Sequence, residues 1–194
     1  IEVKRSNETN YVNFNFSDWI EAGTWIKFTL FNINVKTSTE MDAGTNAQVF
    51  IKIHGKMGVT TQLLLDNQSR NDFERGAVDV FSRGAKDVGS VTGLQVKLDT
   101  MLTETGDNVS NPSWSFVYIE GKRSNETNYV NFNFSDWIKA GTWIKFTLYY
   151  TEVATSDKTG AATDAYIYIK IHGYTSVTTE MLLDNPGDDF VEGA

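Results

Sequence analysis

The sequence contains no cysteine, only two prolines and two histidines, and no apolar run longer than a few residues. The absence of cysteine excludes disulfide frameworks and thiolate metal sites. The short apolar runs, such as Leu63-Leu64-Leu65, are far too short for a transmembrane helix, and no signal peptide is visible in these residues. The catalytic patterns G-x-S-x-G, the Walker loop and H-E-x-x-H are also absent, so we expect a protein that is not an enzyme.

Negative charge predominates, with 25 Asp and Glu against 17 Lys and Arg and a formal net charge of −8. No cluster of Lys or Arg stands out that could release counterions from nucleic acid, so we expect no nucleic-acid partner. An anionic membrane would also repel this chain unless something neutralised its charge.

An internal repeat dominates the organisation of the chain. Residues 4–30 and 122–148 differ only at Glu21 and Lys139, and a weaker match continues from 43–55 to 161–173. The two copies are offset by 118 residues (122 minus 4), a length typical of an autonomous domain. We therefore predict the C-terminal end of a preceding repeat at 1–24, a complete repeat at 25–142, and the N-terminal half of a following repeat at 143–194. We expect a longer tandem protein, with the terminal halves completed by the rest of its chain or by another copy.

Alternating apolar residues predict β-strands throughout the complete repeat. The alternating sets are Phe31/Ile33/Val35, Val49/Ile51/Ile53, Leu94/Val96/Leu98, Phe116/Tyr118 and Val130/Phe132/Phe134. Turn-rich segments separate them, which indicates an all-β, antiparallel sandwich of about eight strands. The apolar phase slips between Leu30 and Phe31, and either a bulge or a domain junction would explain the slip.

The order of these motifs resembles a known family. The complete repeat contains A-G-T-N-A at 43–47, the turn D-N…D-F-x-x-G-A at 66–77, the lone Trp114 and a terminal Asp-Trp-Ile at 136–138. This combination resembles the PLAT (polycystin/lipoxygenase/alpha-toxin, lipoxygenase-homology) domain. The resemblance implies two four-stranded sheets with calcium-binding loops at one end. A tandem arrangement is similar to the lipoxygenase-homology repeat proteins of ciliated cells.

The resemblance also implies sites for Ca²⁺, which prefers six to eight hard oxygen ligands. For the complete repeat the implied ligands are Asp42, the Gly44 carbonyl, Asp107 and the Asn108 carbonyl in one site, and Thr45, Asn46, Asn67 and Asp72 in a second. For the half repeat they are Thr163, Asp164, Asn185, Gly187 and Asp189, because Gly160 and Ala162 replace the ligands of its first site. The alternative is that these Asp and Asn residues cap tight turns without metal.

Two further features bear on partners and location. Met101 and Leu102, expected in a long loop at 99–112 beside Asp107, are candidates for contact with lipid or a protein partner. Six N-x-S/T sequons favour an extracellular or cell-surface glycoprotein, with a ciliary membrane as one possible setting. The sequons begin at Asn7, Asn15, Asn67, Asn108, Asn125 and Asn133.

The sequence leaves two main functional hypotheses. The first is a calcium-assisted module that binds a lipid surface or a protein. The second is a structural repeat of an extracellular or cell-surface filament, in which neighbouring repeats or copies pack together and calcium stiffens the junctions. The near-identity of the junction segment favours the second, because contacts between successive domains would then be uniform.

Overall fold

A computed structural model describes residues 2–3, 12–14, 20–68, 70–103, 112–172, 177–183 and 190–191, and for residues 2, 3, 12, 13 and 100–103 it describes the backbone alone. The chain separates into two compact units, Ile1–Leu148 and Tyr149–Ala194. All regular structure in these described residues is β-strand. None of them forms a helix long and apolar enough to cross a membrane.

Fourteen strands are present in the described parts of the chain. They are β1 (Glu2–Val3), β2 (Val12–Asn13), β3 (Phe28–Thr37), β4 (Ala47–Gly55), β5 (Gly58–Val59), β6 (Leu63–Leu65), β7 (Val78–Lys86), β8 (Val91–Thr103), β9 (Ser113–Arg123), β10 (Val130–Asn133), β11 (Trp137–Lys139), β12 (Ile144–Thr147), β13 (Ile167–Ile169) and β14 (Met181–Leu183).

The first unit contains two large antiparallel sheets that pack face to face, besides a two-stranded sheet in which β1 pairs with β2. The first sheet has the order β10-β9-β3-β7, and β11 pairs with β9 beyond β10. The second has the order β12-β8-β4-β5, and β6 pairs with β4 beside β5. Each large sheet thus has five strands, two of which share one edge, so that it is four strands wide. The predicted antiparallel sandwich is confirmed.

The core lies between these sheets and includes most of the alternating residues that the sequence pattern identifies. Ile33, Ile51 and Val96, one from each of three strands, are fully buried. Trp114 is also fully buried, and its indole Nε1 donates a hydrogen bond to Thr37 Oγ1 at 3.2 Å. A buried indole N–H needs such a partner, so Thr37 stabilises the largest side chain of the core.

Two details of the strands differ from the sequence expectation. The pairing of β3 with β9 shifts register after Lys36, and this bulge places Phe116 and Ile119 in the core while Tyr118 is only half-buried. The prediction that Phe116 and Tyr118 lie on the same face of the strand is therefore wrong, because the bulge inserts one extra residue between core positions. Strand β8 also continues through Met101 and Leu102, where we expected a loop.

The end of the first unit lies a few residues beyond the repeat boundary expected between 142 and 143. Residues 143–148 remain with the first unit because β12 pairs with β8 along Ile144–Thr147. The side chains of Ile144, Phe146 and Leu148 pack against the core of the sandwich. Sequence similarity marks where a repeat begins, whereas strand pairing decides which sandwich the residues complete.

The second unit contains a single described hairpin, in which β13 pairs with β14. Its counterpart in the first unit is the pair β4 and β6. The side chains of Ile167 and Ile169 are half-buried here.

Candidate metal centre

The loop before β4 carries four of the predicted calcium ligands, Asp42 and residues 44–46. Asp42 adopts a left-handed φ of 60°, a conformation that Asp tolerates better than most residues. Gly44 lies so close to the facing loop that a Cβ atom there would be 3.1 Å from the Phe73 carbonyl oxygen. The amide of Thr45 donates to that same carbonyl at 3.2 Å. The A-G-T sequence therefore fixes this loop against residue 73.

A cleft of about 370 Å³ lies between these two loops. Its lining residues are Asp42, Gly44, Thr45, Asn46, Glu74 and Arg75. The four from the first loop were predicted as ligands of two separate sites, and the structure places them around one opening. Glu74 and Arg75 were not predicted. Glu74 is a second exposed carboxylate beside Asp42, and Arg75 is a cation that opposes a metal ion at the same opening.

Asp72 and Asn67, the other predicted ligands of the second site, are engaged with each other. Asp72 is 1% exposed, and its two carboxylate oxygens accept hydrogen bonds from the backbone N–H and the side-chain Nδ2 of Asn67, at 2.6 and 2.9 Å. In this arrangement Asp72 caps the turn, which is the alternative that the sequence left open.

Asp79, which the sequence reasoning did not single out, stabilises the same turn through contacts with Arg70 and Phe73. Its buried carboxylate accepts the backbone N–H of Phe73 at 2.8 Å and forms an ion pair with Arg70 at 3.1 Å. Phe73 has a left-handed φ of 61°, and the hydrogen bond to Asp79 stabilises this uncommon conformation. Desolvation by burial raises the pKa of Asp79, and the hydrogen bond from Phe73 partly offsets that increase.

The half repeat reproduces the same local geometry. Its Phe190 has a φ of 59°, and the Thr163 amide donates to the Phe190 carbonyl at 3.3 Å. Thr163 Oγ1 accepts the Ala165 amide at 3.1 Å, as Thr45 Oγ1 accepts the Ala47 amide at 3.2 Å. Asp164 is exposed. Because two copies with different sequences form the same loop, the loop is a property of the repeat.

Several predicted residues lie outside the described part of the chain. They are Asp107, Asn108, Asn185, Gly187 and Asp189 among the implied ligands, and Asn7 and Asn15 among the sequons. Of the remaining sequons, Asn125 and Asn133 are exposed. The Asn67 amide nitrogen donates to Asp72 and to the Val80 carbonyl, so a glycan on it would disrupt the turn.

The donor set of the cleft fits Ca²⁺ in part. Asp42 and Glu74 supply carboxylate oxygens and Asn46 an amide oxygen, and all three side chains are exposed. No group of three or more His, Cys, Asp or Glu able to hold a metal occurs among the residues described. A full shell of six to eight oxygens therefore requires backbone carbonyls, water or residues of the 104–111 segment.

Comparisons with known proteins agree on the domain type. The family model described as PLAT/LH2 domain matches residues 31–146. The human lipoxygenase homology domain-containing protein 1 is 30% identical over 187 residues, which cover 88% of this chain and 9% of that protein. The chain thus spans about a tenth of the length of this relative.

Solved structures of lipoxygenases share the fold. The Delta413-417:GS LOX structure has a TM-score of 0.53 at 23% identity, and the likeness covers 62% of this chain and 16% of that one. A coral 8R-lipoxygenase, whose structure was described as showing calcium activation via a C2-like domain, has a TM-score of 0.50 at 24% identity and covers 67% of this chain and 18% of its own.

Proposed function

Because the chain belongs to the PLAT/LH2 domain family, we propose that it is a non-enzymatic, calcium-assisted binding module of a longer tandem protein. In this proposal Ca²⁺ binds at the cleft between the 42–46 and 73–75 loops and reduces the negative charge there. The loops then contact a lipid surface or a protein partner, outside the cell or at its surface.

The observation that carries the proposal is the convergence of Asp42, Asn46 and Glu74 on one open cleft. Hard oxygens on exposed loops are the ligands that Ca²⁺ prefers, and exposure lets the carboxylates move to complete a shell. The calcium activation described for the coral 8R-lipoxygenase, through a C2-like domain, supports the choice of metal. With a net charge of −8, calcium would also lower the repulsion between this protein and an anionic surface.

A calorimetric calcium titration of the whole chain tests the metal. We expect saturable binding with a dissociation constant on the order of 10⁻⁴ to 10⁻³ M, as for other extracellular modules. The double variant Asp42→Asn/Glu74→Gln should weaken it at least about tenfold, since two carboxylates are lost. A variant Arg75→Gln should strengthen it, because it removes the opposing cation.

The matched control is Glu21→Gln, which removes one exposed carboxylate that does not line the cleft. Binding that Glu21→Gln weakens as much as Asp42→Asn/Glu74→Gln would show nonspecific screening of an acidic surface. The absence of binding heat from the unsubstituted chain would leave the turn residues as simple caps and overturn the metal proposal.

Binding of phospholipid vesicles tests whether calcium promotes contact with a lipid surface. Flotation with phosphatidylserine vesicles should require calcium, and Met101→Ser/Leu102→Ser should reduce the bound fraction if the end of β8 contacts lipid. Val80→Ser, which changes an exposed apolar residue 57% accessible on a different strand, is the control. Calcium binding without flotation would direct the proposal to a protein partner.

The second candidate is a structural repeat of a filament with calcium-stiffened junctions. It is favoured by the identity of residues 22–30 and 140–148, the segments at the repeat boundaries. It predicts calcium-dependent stiffening, visible as a larger radius of gyration by small-angle scattering of chains that carry several repeats. Equal radii in calcium and in chelator would exclude it.

A further inference from the structure

Two identical nine-residue segments of this chain pair with different sheets. The sequence AGTWIKFTL occurs at residues 22–30 and again at 140–148. In the first copy, residues 28–30 pair with β7 in the first sheet. In the second copy, β12 pairs with β8 in the second sheet. Since the residues are the same, the difference lies in the partners that each copy meets.

The two copies pair mainly through opposite edges of the strand, although in the first copy the Leu30 carbonyl also accepts the Ser124 amide at 2.8 Å on the other edge. In the first copy the Lys27 carbonyl accepts the Asp87 amide at 2.8 Å, which places the peptide groups of Lys27 on the edge facing β7. In the second copy the Leu148 amide donates to the Thr92 carbonyl at 2.9 Å. Leu148 corresponds to Leu30, and successive residues of a strand direct their peptide groups to alternate edges. One strand of this sequence can therefore pair on both sides at once.

The side chains of the segment belong to the repeat that precedes it. Strands β3 and β7 pair without a register shift, so Phe28 and Phe31, three residues apart, lie on opposite faces of the sheet. Phe31 is in the core, and the Phe28 ring contacts Phe14 with centroids 5.6 Å apart. The corresponding rings, Phe132 and Phe146, lie 6.4 Å apart at the core of the sandwich. The register of β3 with β7 has no bulge between Leu30 and Phe31. The phase slip there therefore arises because the apolar residues before it pack into one core and those after it into another.

Tryptophan shows the same asymmetry. Trp143 is half-buried on the second sheet, with Lys52 Nζ 4.5 Å and Lys97 Nζ 5.7 Å from its ring. Trp25, the equivalent residue of the first copy, is 100% exposed. Its copy of the segment meets no second sheet among the described residues.

The equivalent lysines show the reverse asymmetry, because here the first copy has the partner and the second copy does not. Lys27 forms an ion pair with Asp87 at 2.9 Å, beside the strand pairing with β7. Lys145, the equivalent residue, is exposed and has no ion pair in the described structure. The edge of β12 that carries Lys145 and Thr147 is likewise unpaired there. Among the described residues, the first copy pairs with β7 but not with a second sheet, whereas the second copy pairs with β8 but not with a counterpart of β7.

We propose that residues 142–148 form one strand shared by two successive repeats. Through Ile144, Phe146 and Leu148 it closes the sandwich before it. Through Lys145 and Thr147 it pairs with the strand of the following repeat that corresponds to β7. The inference rests on the tandem arrangement of the proposed function, and it makes the repeat junction a continuous strand rather than a flexible linker.

Hydrogen exchange measured by NMR tests this sharing. In the whole chain, the protected amides should be Thr29 in the first copy and Phe146 and Leu148 in the second, with Thr147 exchanging rapidly. The chain is then continued after Ala194, the counterpart of Ala77, by a copy of residues 78–148. In this extended chain the Thr147 amide should become protected by about tenfold or more, since its hydrogen bond breaks only when the junction opens.

A Thr147 amide that remains unprotected in the extended chain, while the added copy of β7 is protected, overturns the proposal. Added residues that stay unprotected overturn it as well, because the following repeat then does not form on the shared strand. The experiment is done in chelator, so a failure of calcium binding is measured separately and leaves this result unaffected.

Charge provides the matched control. In the extended chain, Lys145→Glu should reduce Thr147 protection several-fold, because the carboxylate would face the counterpart of Asp87. Lys139→Glu makes the same change on β11 and reproduces the residue found at Glu21, so it should have no effect. Equal effects of the two substitutions would show a general charge effect and contradict a specific pairing.

Discussion

Strand β4 and its counterpart at 165–173 have nearly the same apolar pattern and differ in burial. Ile51 and Ile53 are completely buried, whereas Ile169 is half-buried and Tyr168 is 56% exposed. Strand β4 pairs with β5, β6 and β8 and is covered by the first sheet, while β13 pairs only with β14 in the described structure. An alternating pattern thus determines which face of a strand is apolar, and burial of that face depends on partners far away in sequence.

Truncating the two equivalent isoleucines should give the largest difference between these regions. Ile51→Ala removes apolar contacts from a closed core and should lower the free energy of unfolding by about 3 kcal/mol. Ile169→Ala should leave the unfolding of the first unit unchanged. All five tryptophans belong to residues 1–148, so tryptophan fluorescence during urea unfolding reports on the first unit alone. Equal shifts of this transition for both variants would mean that the two units unfold together.

The fold was predictable because most of its strands alternate strictly and face a closed core. Val117 shows where prediction fails, since the bulge beside it leaves no mark in composition and moves Tyr118 out of the core phase. Strand β8 extends through Met101 because Ala47 pairs with Thr103. This contact is distant in sequence, and the polar residues around it look like a loop in the sequence. Which edge of the 142–148 segment is used depends on partners and could not be read from the segment itself.

The candidate site was predictable on one side only. The 42–46 loop was identified because its A-G-T-N-A sequence resembles that of the PLAT domain, which implies calcium ligands there. Glu74 was missed because it reaches the cleft through the left-handed backbone of Phe73, which Asp79 holds in place from a different strand. The resemblance implied Asp72 as a ligand, and only the structure shows that both of its carboxylate oxygens accept hydrogen bonds from Asn67.

A glycine-to-alanine substitution in each sheet compares the two sheets, and the expected effect on stability is smaller than for Ile51→Ala. A Cβ atom on Gly93 would lie 2.6 Å from the Phe146 carbonyl oxygen, whereas one on Gly121 would have nothing within 4 Å. Gly93→Ala should therefore push β12 away from β8 and cost about 1–3 kcal/mol. Its tryptophan emission should shift to the red as Trp143 loses its place on the sheet. Gly121→Ala should change the stability by less than about 0.5 kcal/mol, and a red shift from this variant would contradict the assignment.

The smallest expected effect distinguishes Lys27 from Lys145. The hydrogen bond from Lys27 is the main cause that lowers the pKa of Asp87 below its ordinary value of 3.8. A lowered pKa in the folded state means that ionised Asp87 stabilises the fold above pH 3.8, and that this contribution is lost as the pH falls through the folded-state pKa. Since Lys27 is 77% exposed, Lys27→Met should cost only a few tenths to about 1 kcal/mol at pH 7.

That cost should decrease as the pH falls toward the folded-state pKa of Asp87, because protonation of the carboxyl group removes the ion pair. Lys145→Met, in the same sequence context but without a described ion pair, should match the unsubstituted chain at every pH. Urea unfolding between pH 7 and pH 3 measures all three proteins. A pH-dependent cost of Lys145→Met would place a carboxylate beside Lys145 in the free chain, and the edge that we assign to the following repeat would then already be occupied.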